Sequence, residues 1–235
     1  MNELLLTGSL LVLYGAVLLW FYLFGVSGLM AFTVFATIAA NIEVMILVDA
    51  FGMEMTLGNI LFATTFLATD ILSETAGKKA AQKAVWAGIA ANLLFILVSQ
   101  SWLVYVPAAG DWVMPAMRTV FSNTPRMMLS SLAVYALAQS FDVWLYHKWW
   151  TLTERYTGSR RACLWLRNNG STLLSQLVNA VLFTVFAFYG TYDMPTLLSV
   201  ALSSYAIFIV TSLLDTPVVY LARRMHDRRG SVAGE

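Results

Sequence analysis

Seven stretches of about twenty apolar residues dominate this chain, at roughly 4–24, 29–48, 58–76, 83–104, 127–147, 171–190 and 196–220. The hydrocarbon core of a bilayer takes about 20 residues of helix, and inside it every backbone polar group must find a partner within the protein. Unbroken apolar runs of this length satisfy that demand as helices. They lack the residue-by-residue alternation of a membrane barrel. Composition agrees: 59% of the 235 residues are hydrophobic and 11% are charged, against about 25% charged in a soluble domain. The expected fold is all-α, a polytopic membrane helix bundle of seven spans forming a single domain, 1–235. The first stretch reads as a retained span, because no basic leader precedes it and no small-residue cleavage pattern follows.

The basic residues check that count. With the connections assigned alternately to two sides, Lys78, Lys79, Lys83, Lys148, Arg155, Arg160, Arg161, Arg167, Arg223, Arg224, Arg228 and Arg229 share one side, leaving Arg118 and Arg126 on the other. Excess Lys and Arg mark the cytoplasmic side. The expected orientation in the plasma (inner) membrane therefore has the N-terminus outside and the C-terminus inside. Most connections are short. The outer segment 105–126 can form an interfacial cap or lid, and the inner segment 148–169 is basic.

Several function classes drop out. A net charge of +1 supplies no field to hold nucleic acid. One cysteine, Cys163, and two histidines, His147 and His226, leave no disulfide framework and no metal site to expect. No glycine-rich nucleotide loop occurs, so no ATP site on this chain powers transport. No catalytic residue and no cofactor is expected.

Ionisable residues inside apolar spans are costly and mark candidate sites. Asp70, Glu74, Asp142 and Asp215 lie within or near the ends of the third, fifth and seventh spans, and Glu43 lies in the second. No lysine or arginine falls inside the spans as drawn, so these carboxylates need protons, water, polar neighbours, a metal ion or a ligand bearing N–H groups. Glu74 and Asp142, near cytoplasmic ends, can alternatively reach water, and Glu43 fits an interfacial role.

Helical spacing sorts the polar residues into stripes. Asp70 and Glu74 are four apart, with Phe66 a turn before them. Tyr135, Gln139, Asp142 and Tyr146 share a face of the fifth span, Thr172, Gln176, Asn179 and Phe183 of the sixth, and Ser204, Phe208, Thr211 and Asp215 of the seventh. Thr37 and Asn41 share a face of the second. One such stripe is explained by helix packing, whereas stripes on several helices point to a shared cavity. Phe66, Phe141, Trp144 and Phe183 can wall it. Carboxylate, carboxamide and aromatic together suit a planar, donor-rich heterocycle such as a guanine-like base. They suit a cation as well, so the residues alone leave the ligand open. Trp149, Trp150 and Trp165 read as membrane-interface anchors.

Four segments carry a family likeness: ATIAANIEVMILV from Ala36, FATTFLATDILSETAGKKAA from Phe62, FDVWLYHKWW from Phe141 and WLRNNGSTLLSQLVNAVLFTVFAFYG from Trp165. Together they resemble the queuosine precursor transporter family over nearly the whole chain apart from the first span. The resemblance implies a core of about six membrane helices, related to vitamin-uptake transporters and resembling the substrate-binding subunits of energy-coupling-factor importers. It implies import of a 7-deazaguanine for queuosine in tRNA: 7-cyano-7-deazaguanine, 7-aminomethyl-7-deazaguanine or queuine. Asn41, Asp70, Glu74, Asp142, Asn168, Asn169, Gln176 and Asn179 fall at family-pattern positions. Residues 29–220 would then be the transporter core and 4–24 an additional N-terminal helix.

The expected substrate-binding set is Asn41, Asp70, Glu74, Asp142, Gln176 and Asn179, with Phe66 and Trp144 as aromatic walls. The expected partners are the 7-deazaguanine and the lipid bilayer, with a homo-oligomer or an energising complex left open and no nucleic acid bound directly. Two other readings stand beside the permease. One is a binding subunit needing a separate ATPase, docked through small residues such as Ala36 and Ala40, or Ala87 and Ala91. The other is an intramembrane enzyme using Asp70 and Glu74 as an acid–base pair.

Overall fold

A computed structural model describes residues 1–122, 125–190 and 192–232. Asn123 and Thr124, in the expected outer connection, lie outside the described residues. The chain folds as an all-helical bundle carrying one short hairpin. Its burial departs from that of a water-soluble protein, with polar groups buried beside the apolar core and large apolar side chains exposed. Leu94 and Leu97 of the helix 78–102, and Leu213 and Leu214 near the C-terminus, face outward, while Asp70, Asp142, Gln139 and Asn168 are sealed inside. Exposed leucine around a polar interior is the arrangement that lipid, not water, stabilises.

Helix α1 (Asn2–Glu43) is interrupted at Gly25, whose φ of 61° and ψ of −138° lie outside the helical region. Gly28 abuts the Trp20 carbonyl so closely that a Cβ there would collide with its oxygen. Residues eight apart in a continuous helix are separated by about 12 Å, so the chain turns back on itself here. The far ends agree. Asn2 Nδ2 donates to the Asp49 carbonyl at 2.8 Å, and the Phe51 N–H donates to Glu3 Oε1 at 3.3 Å. The start of the first arm thus lies beside the segment that follows the second.

That segment corrects the expectation that the second span runs to Val48. The helix ends at Glu43, and β1 (Leu47–Ala50) pairs antiparallel with β2 (Met53–Thr56). The two residues between them, Phe51 and Gly52, both have positive φ (54° and 73°), the turn geometry whose twist matches a tight hairpin.

Helix α2 (Gly58–Ala76) is the centre of the bundle, packed against α1, α3 (Lys78–Trp102), α5 (Pro125–Thr157) and α7 (Met194–Val232). From Gly58 to Ser73 every residue except Phe62 is buried. Shielded from lipid by its neighbours, α2 has no need of an apolar coat, and Thr64, Thr65, Thr69, Asp70 and Ser73 all lie inside. α1, α3, α5, α6 (Leu164–Phe188) and α7 are each long and apolar enough to cross a membrane, and α2, which carries Asp70 and Glu74 within 19 residues, is not among them.

The connection between α3 and α5 holds α4 (Met114–Ser122). Phe121 packs edge-on against Trp102 at 5.7 Å, and Gln100 Nε2 donates to the Phe121 carbonyl. The connection between α5 and α6 is shorter than hydropathy implies, because α5 continues to Thr157 and α6 begins at Leu164. Polar residues near a membrane surface need not end a helix.

Candidate functional site

Helix α6 arms the interior. Asn168, Thr172 and Ser175 follow the spacing i, i+4, i+7 and so line one face. Each donates to a different carboxylate on a different helix. Thr172 Oγ1 donates to Asp70 Oδ2 on α2 at 3.0 Å, Ser175 Oγ to Asp142 Oδ1 on α5 at 2.8 Å, and Asn168 Nδ2 to Asp215 Oδ1 on α7 at 3.1 Å. All three carboxylates are sealed from solvent, and those of Asp70 and Asp142 lie within hydrogen-bond reach of each other.

Much of this cluster is left unsatisfied. Asp70 Oδ1, Asp142 Oδ2, Asn168 Oδ1 and Gln139 Oε1 are buried acceptors without a hydrogen-bond partner, and Gln176 Nε2 is a buried donor without one. Stranding such groups costs about 1–3 kcal/mol each, and native interiors rarely tolerate several together. Acceptors and a donor of this kind match a ligand that presents several N–H groups and a carbonyl oxygen. Gln139 is fixed in place by Nε2, which donates to the Thr65 carbonyl at 3.0 Å and to Thr69 Oγ1 at 2.8 Å. Gln176 is fixed by Oε1, which accepts from Asn179 Nδ2 at 3.2 Å. From Asn168 to Asn179 the polar column runs about 16 Å along α6 at 1.5 Å per residue.

At the Asn179 end of the column lies a cavity of about 30 Å³, lined by Asn59, Ser131, Asn179, Phe62, Phe183 and Phe208 among others. That volume admits about one water molecule. A bicyclic base enters only if these rings move. Phe62 anchors the aromatic wall, with Phe66 at 5.5 Å, Tyr135 at 6.0 Å and Phe208 at 6.4 Å.

Glu74 departs from expectation. Its carboxylate meets Arg167 at 2.7 Å (Nη2 to Oε1) and 3.0 Å (Nε to Oε2). It also accepts from the Tyr146 hydroxyl at 2.8 Å and pairs with Arg223 at 3.1 Å. Arg167 lies over the Trp150 ring at 4.4 Å and donates to the Ala162 carbonyl at 2.7 Å. A basic residue does therefore sit inside a span. Starting the sixth helix at 171 leaves Arg167 in a loop, whereas the helix begins at Leu164 and turns the guanidinium inward. Glu74 neither reaches water nor has a free oxygen for a ligand.

Two other expected site residues, Trp144 and Asn41, have surroundings of their own. Trp144 is 46% exposed on the outer face of α5, stacked on Phe141 at 5.9 Å with Lys148 over its ring. Asn41 Nδ2 donates to Asn92 Oδ1, joining α1 to α3, while its own Oδ1 is buried without a partner. Of the expected interface tryptophans, Trp165 is exposed, Trp150 lies against Arg167 and Trp149 against Gly170. The sequence reading missed Ser175 and Asn168 as carboxylate donors. Extending the α6 stripe one turn toward its N-terminus would have found Asn168, and Ser175 lies one turn past Thr172 inside the stripe itself. Among the described residues no group of three or more His, Cys, Asp or Glu is arranged to hold a metal ion.

Comparison with known proteins adds two findings. Residues 56–222 match the profile of the family described as "Putative vitamin uptake transporter". The chain is also 40% identical, over 92% of its own length and 93% of the relative's, to a Bacillus subtilis (strain 168) protein named "Probable queuosine precursor transporter". No solved structure matches the chain.

Proposed function

The chain belongs to the vitamin uptake transporter family, and from that premise we propose that it imports a 7-deazaguanine queuosine precursor through the polar column along α6. The observation that carries the substrate class is the set of unpaired groups. Asp70 Oδ1 and Asp142 Oδ2 carry no hydrogen bond from the protein, although the two carboxyl groups lie within reach of each other, and they can accept the ring N–H and exocyclic amine of a guanine-like edge. Gln176 Nε2, a donor without an acceptor, suits the base carbonyl. Phe62 and Phe66 supply the apolar wall.

In this reading the two arms of α1 on either side of Gly25 are separate spans, and with α2, α3, α5, α6 and α7 they make seven crossings of the plasma membrane. The N-terminus lies outside and the basic C-terminus inside. The second arm onward forms the core. The first arm is an addition that packs against it, with the Tyr14 hydroxyl donating to the Thr211 carbonyl of α7 at 2.9 Å. The protein acts as a carrier and leaves its substrate chemically unchanged.

Reconstitution tests the reading. Purified protein in liposomes should take up radiolabelled 7-cyano-7-deazaguanine with no other component present. Binding without uptake would assign the chain instead as the binding subunit of an energised complex. Absence of binding by all three precursors, 7-cyano-7-deazaguanine, 7-aminomethyl-7-deazaguanine and queuine, would remove the substrate class.

A further inference from the structure

Beyond the polar column, the end of α7 forms a second pocket. It is a notch of about 510 Å³ between α7 and the α5–α6 connection, lined by Arg161, Arg223, Arg224, Asp227, Tyr220 and Leu221. Three guanidinium groups face one carboxylate. Asp227 is already used by Arg161, at 3.2 Å. Arg223 spends one nitrogen on Glu74 and the Arg161 carbonyl, both at 3.1 Å. Arg224 is exposed and has no partner among the described residues. The notch therefore carries excess positive charge with donors to spare.

Its floor is apolar. Tyr220 and Leu221 are 45% and 47% exposed, and they lie one turn before Arg223 and Arg224 on the same helix. Arg223 touches Glu74 at the end of α2, so the notch lies level with the end of the bundle. We propose that this notch binds the phosphate headgroup of an anionic phospholipid of the inner leaflet, with the lipid chain against Tyr220 and Leu221. Basic pockets between helices at the cytoplasmic surface suit such headgroups, and a fork of guanidinium donors matches phosphate oxygens. Soluble phosphate would engage the arginines alone, whereas a phospholipid also covers Tyr220 and Leu221. Through Arg223 the lipid site shares a residue with the Glu74 ion pair. The inference needs α7 to leave the membrane near Leu221. It does not depend on which substrate is carried.

The test uses the full chain in a neutral detergent and reads binding of a fluorescent short-chain phosphatidylglycerol. Unlabelled phosphatidylglycerol should compete at least tenfold better than phosphatidylcholine or inorganic phosphate. Arg224→Gln, an exposed change, should weaken binding about fivefold, the usual effect of one basic residue at a charged surface. Lys79→Gln, at the same end of the bundle but outside the notch, should leave binding unchanged. Equal competition by phosphatidylcholine, equal competition by inorganic phosphate, or an equal loss in Lys79→Gln would each overturn the site. None of these readouts involves uptake, so their failure leaves the transport reading untouched.

Discussion

Arg167 and Glu74 meet at 2.7 Å with 0% and 3% of their side chains exposed, joining α6 to α2 at the end of the polar column. Tyr146 of α5 and Arg223 of α7 bind the same carboxylate, so one acid ties four helices together. Arg167→Gln leaves Glu74 with two of its partners, whereas Glu74→Gln leaves two guanidinium groups without their carboxylate. Breaking one side of a buried pair costs about 3–5 kcal/mol. Thermal melts in detergent should show Glu74→Gln falling furthest and Arg167→Gln less. The double change Glu74→Leu with Arg167→Leu should recover part of the loss. Wild-type melting by both single variants would show that the pair does not hold the bundle.

Asp70 and Asp142 each keep one oxygen on a hydroxyl of α6 and one without a partner. Asp70→Asn and Asp142→Asn should each lose about 1.5–3 kcal/mol of ligand binding, the range for a hydrogen bond to a charged group, or roughly 10–150-fold in affinity. Both variants should remain folded and inserted. Uptake of the labelled precursor at wild-type rates by both would exclude these acids from the site.

Gln176 and Asn179 separate a binding role from a packing role. Asn179 donates to Gln176 Oε1 and lines the small cavity, while Gln176 Nε2 stays unpaired. Gln176→Leu should weaken a guanine-like ligand by about 1–3 kcal/mol, the cost of stranding its carbonyl. A packing bond in a membrane is worth only about 0.6 kcal/mol on average. Direct binding beside a melting curve decides the matter: unchanged affinity with a lowered Tm would assign Gln176 to packing.

The reversal in α1 predicts its own sensitivity. Gly25 occupies a conformation that side chains resist, and Gly28 touches the Trp20 backbone. Gly25→Val should cost about 1–3 kcal/mol in backbone strain, and Gly28→Val should part the two arms. Both should lower the yield of inserted protein and its Tm in detergent, and Gly15→Ala, where a Cβ meets only open space, should not. Normal yield and melting for Gly28→Val would contradict the close approach.

Orientation follows from the distribution of basic residues. A reporter fused after Glu235 should be cytoplasmic, and one placed before Met1 should be extracellular. A cytoplasmic reporter at both ends would mean that one arm of α1 does not cross.

Much of this was legible in the chain itself. Lipid must be faced by apolar residues, so the apolar runs alone marked a polytopic helical bundle. Helical period alone placed Asp70, Asp142, Gln176 and Asn179 on polar faces. What period does not contain is the neighbour toward which a face is turned. Trp144 lies two positions from Asp142, on the opposite side of the helix by period, and only packing shows that the Asp142 side is the one turned inward. Glu74 shares a face with Asp70, but only the close approach of α6 and α7 gave it two arginines and left Asp70 with a free oxygen. Helix ends were misjudged for a related reason. Hydropathy falls where a helix leaves the bilayer, but its backbone hydrogen bonds continue, so α5 and α6 extend into segments that read as connection. Asn41 met Asn92 because α1 folds back at Gly25 to lie against α3. Local sequence decided what each residue can do, and the packing of distant helices decided which groups were left unpaired to do it.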